Sequence, residues 1–120
     1  MTSQESNSDY KYIFELEKKQ EIAWNLIVIR WQEAVFYPYV KKSKIELSDC
    51  QKCGSLYLDI ECNVDANGKM TIDASYAKKC GKKMDEKLEN YLLNYFISEI
   101  FPENLRNLKI KHRFGVLYKC

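Results

Sequence analysis

Hydrophobic and polar positions along this chain follow two alternating periods. From Asp9 onward, Ile13, Leu16, Ala23, Trp24, Ile27, Trp31 and Val35 recur near the i, i+3, i+4, i+7 spacing of one helix face. Ser8 or Asp9 is placed to cap the first free amides of such a helix. Pro38 disfavours helical backbone at Tyr37, so the pattern predicts a stop around Phe36 and a helix roughly 40 Å long. Leu26 and Ile29 widen its apolar stripe, which suits a helix that covers a sheet.

The period then changes to two. Leu56, Leu58, Ile60, Cys62 and Val64 alternate with Tyr57, Asp59, Glu61 and Asn63, which reads as a half-buried strand. Asp65-Ala66-Asn67-Gly68 is a turn, with Gly68 suited to positive φ. Met70, Ile72, Ala74 and Tyr76 alternate after it, so the two strands make a hairpin with Val64 opposite Met70 and Leu56 opposite Lys78. Gly81-Lys82-Lys83 ends the alternation. Met84, Leu88, Tyr91, Leu92, Tyr95 and Phe96 restore the helical period, up to Phe101-Pro102. Ile110, His112, Phe114, Val116 and Tyr118 then alternate with basic residues in a last strand.

The order helix, strand, strand, helix, strand predicts an α+β fold. Short connections give a three-stranded antiparallel sheet with the first strand central and both helices on one face. Asp59 and Glu61 then lie near Lys109, Lys111 and Arg113, a favourable cross-strand charge pattern.

Composition narrows the functions that fit. The 120 residues suit one domain, residues 9–120, behind a polar leader at 1–8 that reads as disordered. Hydrophobic residues at 46% and charged residues at 30% are those of a packed chain. A net charge of +2 supplies no strong field for nucleic acid, and no partner of that kind is expected. No apolar run reaches the length of a membrane span, because Asn25, Arg30, Gln32 and Glu33 interrupt the longest, Ile22 to Tyr39. The leader lacks the basic and apolar regions of an export signal. Two origins fit it: a natural cytosolic start, or a start that follows a removed signal.

Candidate chemistry is sparse. His112, the single histidine, falls on the inward face of the last strand and reads as a core residue with its hydrogen bond satisfied. Asp59/Glu61 and Asp73/Ser75 lie on an open sheet face with no base beside them. No phosphate loop, nucleophile elbow or His-x-x-x-His is present, so a non-enzymatic protein without a cofactor is expected. Tyr57 and Tyr39 read as exposed contact residues.

The five cysteines carry more information. Antiparallel pairing brings the start of the first strand and the ends of the second and third to one edge of the sheet. Cys50, Cys53, Cys80 and Cys120 should therefore cluster, and Cys62 should stand apart as a buried thiol. The cluster can form two disulfides, hold a structural zinc through the Cys50-Gln-Lys-Cys53 knuckle, or stay reduced. The number of cysteines tilts the reading toward an oxidising compartment.

The run from Tyr37 to Tyr118 resembles the C-terminal domain of the TonB energy-transducer family, in its envelope-protein form. The resemblance lies in a helix ending at Tyr37-Pro38, a connector to Gly54, and an alternating strand into Val64-Asp65-Ala66-Asn67-Gly68-Lys69-Met70. A Met84-Asp85-Glu86-Lys87-Leu88 helix start, Phe101-Pro102 and a terminal strand complete it. No Trp-x-Pro-Gly follows the second helix. The resemblance implies a protein-binding module that pairs an edge strand, here Leu108 to Tyr118, with an extended peptide. Lys109, Lys111, Arg113, Val116 and Tyr57 are then the expected partner-binding residues. It also implies the periplasm or cell envelope where an export signal has been removed, and otherwise the cytoplasm is expected. A small cytosolic inhibitor or immunity-type protein that blocks a larger partner, or a zinc-stabilised adaptor, fits the same composition.

Overall fold

A computed structural model describes residues 10–42 and 54–119, with side chains described over 10–42 and 56–115. The elements in chain order are β1 (Lys11–Tyr12), a 3-10 turn (Ile13–Glu15), α1 (Lys18–Trp31), a π turn (Gln32–Phe36) and α2 (Tyr37–Lys42). Then come β2 (Gly54–Val64), β3 (Met70–Lys79), β4 (Lys82–Lys83), α3 (Glu86–Ser98), a 3-10 turn (Glu103–Leu105) and β5 (Leu108–Lys119). The fold is α+β, as the two periods predict. Its sheet has five strands in the order β1-β5-β2-β3-β4. β2 is central and antiparallel to both neighbours, as expected. The sheet is mixed, because β1 adds to β5 in parallel. No helix among the described residues is long and apolar enough to cross a membrane.

The first helix departs from its expected bounds at both ends. It starts at Lys18, where the Glu17 amide donates to Gln20 Oε1 at 3.0 Å in a capping box. The residues before it pair with β5, so a tertiary contact overrides the helical period there. At the other end the chain continues through Pro38. Tyr37 keeps helical backbone at φ −66, ψ −39 because the π turn widens the ladder just ahead of the proline. Pro38 then lies in α2, directly after the π turn. The leader and the segment carrying Cys50 and Cys53 lie outside the described residues.

The hairpin also shifts by one residue. Val64 pairs with Met70 as expected, but a bulge leaves Asp73 without a partner between the pairs Glu61↔Ala74 and Cys62↔Ile72. Leu56 therefore meets Lys79 and not Lys78. The turn is held by Asp65, whose Oδ1 accepts from the amides of Asn67 and Lys69 at 2.8 and 3.0 Å. These bonds hold the Asp65 carboxyl below its usual range. Gly68 has φ +86, and the Phe101 amide donates to its carbonyl at 2.8 Å. The turn is thus tied to the chain that leaves α3.

The core lies between the helices and one face of the sheet. Leu56, Leu58, Ile60, Cys62 and Val64 of β2 meet Trp24, Ile27 and Trp31 of α1 and Leu92 and Phe96 of α3. Trp31 stands at the centre, with Phe36, Phe96 and Phe114 ring centroids within 4.8–5.0 Å. Its indole N–H donates to the Leu92 carbonyl at 2.6 Å, so no buried donor is wasted. Asp85 caps α3 by accepting from the Lys87 and Leu88 amides.

Candidate functional site

The other sheet face carries no helix among the described residues, and the alternation of the strands decides what it displays. Odd-numbered residues of β2 and β5 point there: Tyr57, Asp59 and Glu61 beside Lys109, Lys111, Arg113 and Gly115. β1 brings Tyr12 level with Lys111. β3 adds Ala74, Tyr76 and Lys78, with Tyr76 across from Asp59.

Four cations on this face each lie over a tyrosine ring. Lys111 Nζ stands 4.3 Å from the Tyr12 centroid, Arg113 4.8 Å from Tyr57, Lys109 5.6 Å from Tyr10 and Lys78 5.7 Å from Tyr76. Arg113 also grips Asp59 with two of its nitrogens, Nε at 2.6 Å and Nη2 at 2.8 Å. The guanidinium is held further above its ordinary range by that carboxylate. Tyr10 donates to Asp73 Oδ2 at 2.5 Å, which pushes its phenol up to about 12.

A shallow hollow of about 510 Å³ opens within this face, with Tyr12 and Tyr76 as its walls and Glu61, Ala74, Lys111 and Arg113 between them. Glu61 faces Lys111 in the ladder, yet the lysine turns to Tyr12. The imagined carboxylate pairs are therefore separate groups. Asp59 belongs to Arg113, Asp73 to Tyr10, and Ser75 points to the helices, where its hydroxyl donates to buried Glu89.

Of the expected partner-binding residues, the structure gathers Lys109, Lys111, Arg113 and Tyr57 on this one face. Val116 pairs with Leu56 in the backbone ladder, and its side chain is outside what is described. Tyr57 and Tyr39 are half-buried and not exposed: Tyr57 lies under Arg113, and Tyr39 accepts from Lys79 Nζ at 2.8 Å. Gly115 permits the closest approach, since a Cβ there would stand 2.8 Å from Tyr57 Cβ. The sequence reading missed Tyr10, Tyr12 and Tyr76. The alternation Tyr10-Lys11-Tyr12 was the available signal, hidden inside an apparent helix.

β5 is not a wholly open edge, which corrects the expectation. β1 occupies it at Ile110 and Lys111 and no further. Beyond Lys111 the outer side of β5 continues without a strand among the described residues. β3 also has an outer side, but the Asp73 bulge distorts it and β4 covers Lys78 and Lys79.

Two cysteines and the imidazole are described. Cys62 is buried and free, as expected, with Sγ donating to the Ile110 carbonyl at 3.4 Å, and burial pushes its thiol up to about 12. Cys80 is half-buried at φ 55, in the turn from β3 to β4. No disulfide joins these two. Cys50, Cys53 and Cys120 lie outside the described residues, and the expected thiol or zinc cluster with them. His112 faces the core as expected, its Nδ1 accepting from Trp24 Nε1 at 2.8 Å.

Compared with protein-family models, curated proteins and solved structures, the chain matches none of them.

Proposed function

We propose that this protein is a protein-binding module that takes an extended peptide as an added strand along β5, beyond the two residues held by β1. One observation carries the reading: among the described residues, a strand running to Lys119 is paired on its outer side at Ile110 and Lys111 alone. Unpaired backbone groups on such an edge template an incoming strand. The register of β5 on β2 is regular from Leu108 to Leu117, whereas β3 carries a bulge, so β5 is the better template. Side chains of the peptide on the open face would meet Arg113 and the Tyr57 ring where Gly115 has no side chain of its own. The TonB-like pattern of the sequence supports the same edge.

The test uses a peptide library displayed on phage, panned against the full chain, followed by amide hydrogen exchange with the best synthetic peptide. The expected result is new protection on β5 beyond Lys111. Proline at whichever of positions 112–116 has a fast-exchanging amide should abolish binding, with circular dichroism unchanged. Protection confined to β3, or to the helices, would refute the reading.

A further inference from the structure

The net charge of +2, which argues against a nucleic-acid partner, conceals an uneven distribution. β3 and β4 set Lys78 directly opposite Lys83 and Lys79 opposite Lys82. Like charges placed across a ladder in this way destabilise it. Guarding an outermost strand against edge pairing accounts for Lys82 and Lys83. It does not account for Lys78 and Lys79, because β4 already covers that part of β3. No carboxylate occurs between Ala74 and Met84 to offset the four lysines.

This basic ribbon borders the hollow of the open sheet face. Lys78 lies on that face, and Lys83, its exposed ladder partner, shares it. Tyr76, two residues before Lys78, is 44% exposed and walls the hollow. Glu61 is half-buried in the lining and makes no hydrogen bond or ion pair among the described residues. Its ladder partner on β3 is Ala74, whose small side chain leaves the space beside the carboxylate open. Asp59, the neighbouring acid, is already held by Arg113. The hollow thus offers an exposed ring, one unpartnered acceptor and cations at its rim.

We infer that the open sheet face binds single-stranded nucleic acid, with an amino-bearing base stacked on Tyr76 and donating to Glu61, and the flanking phosphates on Lys78 and Lys83. Each part has its own physical warrant. Unpaired bases stack on exposed aromatic side chains, a carboxylate accepts from an exocyclic amino group, and lysines neutralise phosphates. A duplex keeps its base faces stacked away from Tyr76, and an anionic lipid surface would use the lysines alone. This site goes beyond the peptide reading and uses other atoms: a peptide takes the outer backbone of β5, and the nucleic acid takes side chains of β2, β3 and β4.

Fluorescence anisotropy of the full chain with labelled oligo-deoxycytidine and oligo-thymidine of about 12 nucleotides tests the inference. At about 50 mM salt the expected result is binding of the cytidine strand with a dissociation constant of order ten micromolar, about tenfold tighter than the thymidine strand. Glu61→Gln should erase that preference, because an amide either accepts from cytosine or donates to thymine. Tyr76→Ala should weaken both strands about tenfold, with circular dichroism unchanged because the ring is exposed. Lys78→Gln with Lys83→Gln should lower the slope of log affinity against log salt by about 1.4. Absence of binding up to about 500 µM protein at the same salt overturns the inference. Binding indifferent to Glu61→Gln and Tyr76→Ala overturns it as well, since lysines alone would then attract any polyanion. Equal affinity for cytidine monophosphate would make this a free-nucleotide site, and equal affinity for phosphatidylserine vesicles a membrane contact; either result overturns it.

Discussion

The half-buried imidazole gives the most direct check on the packing. His112 is the chain's single histidine, and Trp24 Nε1 donates to its Nδ1 at 2.8 Å. That bond requires an unprotonated Nδ1, so the folded state holds the ring neutral with its proton on Nε2. Protonation would set one N–H against another and leave a buried indole donor unsatisfied. Burial alone brings the ring from 6.5 down to about 4. The unfolded chain takes up a proton below about pH 6.5 and the fold does not. The stabilisation is therefore complete above about pH 6.5 and is lost as pH falls toward 4. At about 1.4 kcal/mol per pH unit the full interval is worth about 3 kcal/mol. Solvent still reaches part of the ring, and screening reduces this to about 2 kcal/mol. Urea unfolding between about pH 7.5 and about pH 4.5 measures it, with His112→Gln as the control. Glutamine can accept the indole N–H and does not titrate. The slope between about pH 6.5 and about pH 5, above the main carboxylate range, should be flatter in the variant. An equal slope in both proteins, or an NMR titration midpoint near the ordinary 6.5, would refute the reasoning.

Two further outcomes follow from local geometry. Gly68→Ala forces an L side chain to φ +86 and sets a Cβ 2.6 Å from the Phe101 carbonyl oxygen, so a loss of about 3 kcal/mol is expected in urea unfolding, and a loss under about 1 kcal/mol would contradict the turn described. Ser75→Ala removes the hydroxyl that donates to buried Glu89, and about 1–3 kcal/mol should be lost at pH 7, whereas an unchanged unfolding midpoint would mean that water replaces the hydroxyl at no cost.

What could be read from the sequence was whatever depends on local period. The period-two runs of β2 and β5 set which residues meet the helices, and Trp24, Ile27 and Trp31 fall on the inner face of α1 as their spacing requires. Non-local pairing was hidden. β1 is two residues long and pairs with residues about a hundred positions away, so it leaves no periodic trace. The Asp73 bulge moves the hairpin by one residue without any glycine to announce it. Pro38 signals a helix end, and the π turn before it removes that signal's force. At the candidate site, the charges of Lys109, Lys111 and Arg113 were readable from the alternation of β5. Their tyrosine partners were not, because Tyr10 and Tyr12 reach the face only through β1.

The pairing of cations with rings also bears on how the edge proposed to bind can be both exposed and ordered. An edge strand that flexes loses affinity to the ordering of its own backbone, at about 1–2 kcal/mol per residue fixed. β5 is restrained from both sides. On the core side, Ile110 and Phe114 are buried and His112 holds Trp24. On the open side, Lys109, Lys111 and Arg113 are fixed on Tyr10, Tyr12 and Tyr57, and Arg113 is further tied to Asp59 across to β2. An incoming peptide would then supply nearly all of the conformational entropy lost. The same basic side chains, with β1 shielding Ile110 and Lys111, make a flat apolar approach by unrelated strands unfavourable. Rigidity favours a specific added strand, and the charges discourage indiscriminate edge pairing.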